Sequence, residues 1–134
     1  MQSYVLGFYF FEGRNKLILI RKNRPEWQAG LLNGVGGKVE LKDVTTREAM
    51  MREFEEETGI ITQNKEWKYV GLLNFPEAEI FVYAGECLGE LNEFFTSCTD
   101  EVVEEFNVRD LQNRNDVVHN LRSLIPLALD RLRF

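Results

Sequence analysis

The chain has 134 residues, 44% of them hydrophobic and 12% aromatic, which is enough apolar matter for a sizeable core and for a single domain over residues 1–134. Its formal net charge of −6, with Lys and Arg scattered along the chain, excludes the basic footprint that a nucleic-acid polymer requires. Cys87 and Cys98 lack a CxxC partner, which excludes a disulfide framework or a zinc site, and they read as reduced core residues of a cytoplasmic protein.

Met1–Phe11 is apolar but has no basic start and no small-residue cleavage site, and Glu12 and Gly13 interrupt it early, so it reads as a strand and no membrane partner is expected. Tyr4–Phe11 and Lys16–Lys22, rich in β-branched and aromatic residues around the turn Glu12-Gly13-Arg14-Asn15, predict a hairpin. The segment Asn23–Gly37 carries Pro25, Gly30, Gly34, Gly36 and Gly37 and reads as a site-building loop with one short strand near Leu31 and Leu32. Thr45 with Glu48 forms a capping box and Gly59 suits a left-handed C-cap, which predicts a helix over Thr46–Thr58. Trp67–Phe75, Ala78–Leu88 and Val102–Val108 read as strands, separated by turns at Asn74-Phe75-Pro76 and Gly89-Glu90. Asp116–Leu132 has the three- and four-residue apolar spacing of an amphipathic helix, with Pro126 expected to kink or break it. Strands flanked by helices imply an α/β fold with a mixed sheet.

The chemistry is concentrated in GGKVELKDVTTREAMMREFEEETGI, Gly36 to Ile60. Glu53, Glu56 and Glu57 lie three and four residues apart, so one helix face carries all three carboxylates, and hard cations such as Mg²⁺ take oxygen ligands of this kind. The bland alternative is a solvated acidic face. Against it, Glu55, Glu56 and Glu57 crowd the C-terminal turn, where the helix dipole disfavours anions, and Glu53 with Glu57 is a like-charge pair. Arg52 can pair with Glu56 one turn on or reach back to the preceding loop, and Gly36-Gly37 allows the backbone to approach a metal or phosphate closely.

This stretch resembles the box of the Nudix hydrolase family, G-x5-E-x7-R-E-U-x-E-E-x-G-U with U a bulky apolar residue. Arg52, Glu53, Phe54, Glu56, Glu57, Gly59 and Ile60 match its second half, and Gly37 matches its start. Asp43 stands where the first glutamate is expected, and eight residues rather than seven separate it from Arg52, a one-residue insertion that leaves the role of Asp43 open. The resemblance implies an α/β/α sandwich with the mixed sheet between helices, and hydrolysis of a diphosphate bond with Mg²⁺ or Mn²⁺. It implies Glu56 and Glu57 as central ligands beside the Gly37 carbonyl, and Glu53 as a further ligand or water orienter. A later acidic residue is expected to complete the site, with Glu101 favoured over Glu104 and Glu105 and a solvated loop residue as the alternative. Glu53, Glu56, Glu57, Arg52 and Glu101 form the catalytic set.

Upstream, RKNRPEWQAGLLNGVGGKVE is similar to the same segment in MutT-like Nudix enzymes that clean nucleotide pools, including those acting on oxidised purine deoxynucleoside triphosphates. The substrate-binding candidates are Asn33, Trp27, Lys38, Phe75 and Asn120, with Asn115 and Asp116 beside the last. Asn33 either reads a purine edge or supports its turn, and Trp27 either stacks on a base or packs into the core. The expected partner is a small-molecule nucleotide. Alternatives are an ADP-ribose or other nucleoside-diphosphate pyrophosphatase, and a Nudix-like domain that senses nucleotides without cleaving them, which the intact glutamate set disfavours. His119 reads as a helix-surface residue. Phe94-Phe95 or the last helix is either a homodimer surface or ordinary core.

Overall fold

The computed structural model describes residues 1–87, 91 and 95–134. Its longest strand, β1 (Gln2–Phe11), is apolar almost without interruption because both of its faces are covered. Leu6, Phe8 and Phe10 share a core with Leu121, Leu124, Ile125, Ala128 and Leu132 of the C-terminal helix α2 (Leu121–Arg133). Val5, Tyr9 and Phe11 share the opposite core with Ala49, Met50 and Phe54 of α1 (Thr46–Thr58) and with Trp67. Helix, sheet and helix therefore stack in three layers, the expected α/β/α sandwich.

The remaining strands are β2 (Lys16–Arg21), β3 (Leu32–Asn33), β4 (Val35–Lys38), β5 (Trp67–Asn74), β6 (Ala78–Glu86) and β7 (Val102–Asn107). β6 runs parallel along one edge of β1 and the other pairings between these strands are antiparallel, so the sheet is mixed. The other edge of β1 is divided: Tyr4–Gly7 pair with β4, and Tyr9–Phe11 pair with β2. β3 pairs with the same edge of β2 beyond the β1 contact, and β7 pairs with the opposite edge of β2. This division opens a fork in the sheet, and the candidate site is built there.

β4 corrects the reading of residues 34–37 as loop. Glycine is a poor local strand former, but Gly36 is placed where a Cβ would collide with the Val5 carbonyl, so its bare backbone is what lets β4 approach β1. α1 has its expected bounds, with Thr45 accepting from the Glu48 amide at 3.1 Å and Gly59 left-handed at φ 79°. Glu48 reaches back one residue further than a capping box demands, to the Val44 amide at 3.1 Å.

α2 starts at Leu121 rather than Asp116, because the Leu32 amide donates to the Asp116 carbonyl, the Val118 amide donates to the Leu32 carbonyl, and Val117 bridges to Leu32 between them. Pro126 does not divide the helix: α2 runs on through it, held by the apolar face it buries. Cys98 is exposed and Cys87 half-buried at the edge of a core, so neither is the fully buried core residue expected. Leu88, the Gly89-Glu90 turn and Phe94 lie outside the described residues. No helix among the described residues is long and apolar enough to cross a membrane.

Candidate active site

α1 packs against β4 and sets the acidic cluster beside Gly37. A Cβ on Gly37 would overlap the Glu53 carboxylate, so the glycine leaves the space that this side chain fills. Arg52 holds the cluster together. Its Nε and Nη2 donate to Asp43 Oδ1 and Oδ2, both at 2.9 Å, its Nη1 donates to Glu53 Oε1 at 3.1 Å and Glu56 Oε2 at 3.1 Å, and its Nη2 also reaches the Lys38 carbonyl at 3.0 Å. The Asp43 side chain is 4% exposed, and the Arg52 guanidinium holds its carboxyl below the ordinary range. The fork of two donors against two acceptors fixes the plane of Arg52, so the inserted residue leaves Asp43 in a partner's role for Arg52.

Burial pushes the Glu53 carboxyl up, opposed by Arg52 and reinforced by the Glu56 and Glu57 charges. Burial also pushes Glu57 up, opposed by a hydrogen bond from Thr99 Oγ1 at 2.9 Å and reinforced by the Glu101 charge. Glu101 is buried, at 4% exposed. Its Oε1 accepts from Lys22 Nζ at 2.9 Å, and its Oε2 from the amides of Asn23 at 2.6 Å and Arg24 at 3.4 Å. Burial would raise its pKa, but these donors outweigh it and the net shift is downward. Glu104 and Glu105 lie on β7 and face Arg21 and Lys16.

In donor chemistry the residues fit a hard divalent cation: the helix offers carboxylate oxygens only, and the Gly37 cradle admits Glu53 where any side chain would exclude it. Among the described residues no three acidic, His or Cys groups are gathered closely enough to enclose an ion. The partners explain this, since Arg52 draws Glu56 one way, Thr99 draws Glu57 another, and Lys22 occupies Glu101.

Beside Gly36 and Gly37 lies a cavity of about 530 Å³, lined by β1, β3 and β4, by the loop bearing Pro25, Trp27 and Gln28, by Phe75, and by Val118, His119 and Asn120. Cavities of about 300–1,000 Å³ accept small-molecule ligands. Trp27 is 62% exposed, which removes the core-packing alternative, and Phe75 is 48% exposed. Asn33 is engaged on both ends of its amide: Nδ2 donates to Gln28 Oε1 at 2.9 Å, and Oδ1 accepts from the Gly34 amide at 2.8 Å. Asn120 differs, because its Oδ1 is buried without a hydrogen-bond partner.

Lys38 is exposed and does not line the cavity; its backbone carbonyl serves Arg52. Asn115 is exposed, and Asp116 is committed to Arg21 and Arg114. His119 is exposed at the cavity just before α2, not on the helix itself. Lys22 and Thr99 were not singled out in the sequence, since nothing local marks a lysine at a strand end or a threonine in a loop as a partner of a distant glutamate.

A model of the NUDIX domain matches residues 2–128. No curated protein sequence matches the chain significantly. Among solved structures, one from a study of MutT of the fish pathogen Aliivibrio salmonicida and of Vibrio cholerae is 20% identical with a TM-score of 0.76, covering 96% of this chain and 98% of that one. The NUDIX domain of Shewanella oneidensis NrtR, complexed with ADP ribose, is 15% identical with a TM-score of 0.80, covering 97% and 87%. A bifunctional NMN adenylyltransferase/ADP ribose pyrophosphatase from Francisella tularensis, complexed with AMP and Mn ion, is 14% identical with a TM-score of 0.74, covering 96% of this chain and 41% of that one. The domain match over nearly the whole length, with the glutamate helix and its Arg52 clamp in place, means that the chain belongs to the Nudix hydrolase family.

Proposed function

We propose that the protein hydrolyses, with Mg²⁺ or Mn²⁺, a diphosphate bond in a nucleoside-diphosphate-linked substrate. The favoured substrate is a purine deoxynucleoside triphosphate, oxidised forms included, giving monophosphate and pyrophosphate. The observation that carries the reading is the continuity of one cavity from Gly36-Gly37, next to the glutamate helix, to Trp27, Phe75 and Asn120. Phosphates bound at the glycine end leave a base at the end where exposed aromatic faces and a carbonyl lacking a donor are found.

Glu53, Glu56, Glu57 and the Gly37 carbonyl are the groups that would hold the metal, which supplies charge neutralisation at the phosphates and acidifies water. Arg52 orients Glu53 and Glu56, and a carboxylate of the helix accepts the proton of the attacking water. No covalent nucleophile is required. ADP-ribose is the second reading, supported by the ligand in the NrtR NUDIX domain, whose fold is similar over 97% of this chain.

The test is a panel of canonical and oxidised nucleoside triphosphates, ADP-ribose and dinucleoside polyphosphates, each with Mg²⁺ and with Mn²⁺. Hydrolysis is expected to vanish in chelator, and Glu56→Gln or Glu57→Gln to lower turnover by roughly 10² or more while circular dichroism stays native. Full activity in chelator, or in both variants, sinks the proposal.

A further inference from the structure

We infer that Glu101 is a positioning residue, whose buried carboxylate anchors the loop of residues 22–31 that walls the cavity, and that it is not a metal ligand of the free protein. The inference deepens the proposed nucleotide hydrolysis and rests on it for what the cavity binds.

A carboxylate offers about four lone-pair sites. Those of Glu101 meet Lys22 Nζ at 2.9 Å and the consecutive amides of Asn23 and Arg24 at 2.6 and 3.4 Å. All of these donors belong to the first residues of the loop. A cation seated on Glu101 would have to displace the Lys22 ammonium, a charge of its own sign, and leave two amides unpaired.

The neighbouring residues repeat the attachment. The Asp100 carbonyl accepts from Asn23 Nδ2 at 2.9 Å, and the Asp100 carboxylate pairs with Arg24. On the other side, Thr99 Oγ1 donates to Glu57 Oε2 at 2.9 Å and accepts from the Glu101 amide at 3.2 Å. Residues 99–101 thus form a strap, one end on the helix that carries the chemistry and the other on the loop that carries Trp27 and Gln28. Gln28 in turn holds Asn33. Three backbone and side-chain donors gathered on one carboxylate have no evident purpose in a loop free to move, and a clear one in a loop whose Trp27 must stand ready for a ligand.

Glu101→Gln keeps the size and shape of the side chain but turns an N–H toward donors. Hydrogen exchange of the free protein is expected to quicken about tenfold or more over residues 22–31. Mn²⁺ affinity of the free protein, read from the electron paramagnetic resonance of unbound ion, is expected to fall by well under the roughly tenfold or more that loss of a metal ligand's own partner costs. With dGTP, or with ADP-ribose where that is hydrolysed, KM is expected to rise about tenfold with kcat held within about threefold. Unchanged exchange, a tenfold loss of Mn²⁺ affinity, or a fall in kcat at constant KM each overturns the inference. Should this variant fail to fold, Asn23→Ala decides, since it cuts only the side-chain tie to Asp100 and lies outside the cavity lining. Faster exchange over the loop with KM raised about threefold supports the anchor, and no change in either overturns it. The exchange and Mn²⁺ measurements use the protein alone, so absence of any nucleotide turnover would defeat the proposed function and leave the anchor standing.

Discussion

Asp43 and Asn120 show how much of the site depends on single polar groups. Asp43 is buried against Arg52, and its removal strands a guanidinium that is 15% exposed. Asp43→Ala is expected to cost about 2–3 kcal/mol, the scale of hydrogen bonds to a charged group, because Glu53 and Glu56 still offer Arg52 partial compensation. Urea denaturation measures this, and a loss under about 0.5 kcal/mol would show that the clamp is dispensable. Asn120 is the opposite case. It sits at the N-cap of α2 yet makes no capping bond, and its Oδ1 has no donor, so Asn120→Ala removes a buried carbonyl that nothing in the folded chain satisfies. We expect unchanged or slightly higher stability together with a KM raised roughly tenfold for the preferred nucleotide, as a lost base contact would give. A variant less stable than the parent, with normal KM, would show that Asn120 has a structural partner. Asn33, saturated by Gln28 and Gly34, is expected to affect every substrate alike when changed to Ala, as a support of its turn would.

At the scale of elements, α1 concentrates negative charge at its own C-terminal turn and carries no basic residue there. Mg²⁺ or Mn²⁺ is expected to raise the Tm of the parent, and replacing Glu56 and Glu57 together by Gln is expected to raise the metal-free Tm by about 2–4 °C and to abolish that response. A lower metal-free Tm would mean that the Arg52–Glu56 and Thr99–Glu57 contacts outweigh the repulsion. In α2, Pro126 leaves the Arg122 carbonyl without its usual donor, and it is exposed, so Pro126→Ala is expected to stabilise by about 1–3 kcal/mol in urea melts. The two helices also mark what a sequence can reveal. α1 was legible to the residue because its start, its end and its carboxylate spacing are local signals. The start of α2 was misplaced because Val117 has helical spacing but is spoken for by Leu32, far away in the chain. β4 was invisible because its glycines argue for a loop until β1 supplies the partner edge. For the same reason Glu101 could be picked out as acidic and nearby, while its engagement with Lys22 and two amides could not.

Across the whole molecule, Asp116 joins the sheet to the segment entering α2. Its carboxylate accepts from Arg114 at 2.8 and 2.7 Å and from Arg21 of β2 at 3.1 Å, while its carbonyl accepts from the Leu32 amide at 2.8 Å. Hydrogen bonds from Arg114, against the opposing effect of burial and aided by Arg21, hold its pKa well below the ordinary value. A carboxylate whose folded pKa is depressed stabilises the fold above its unfolded pKa of about 4 and loses that contribution as pH falls toward the folded value. The stability gap between the parent and Asp116→Asn is therefore expected to be widest at pH 7 and about 1 kcal/mol narrower at pH 3; a gap independent of pH would refute the linkage. The divided edge of β1 bears on inheritance. Since β4 and α1 lie along one branch of the fork while β2, β3 and the Trp27 loop lie along the other, joined to the helix through residues 99–101, substitutions on the second branch that spare Lys22, Asn23 and Arg24 leave the contacts of the glutamate helix in place. Gene copies of such a protein can drift apart in the nucleotide they take while each descendant keeps the ancestral hydrolysis intact.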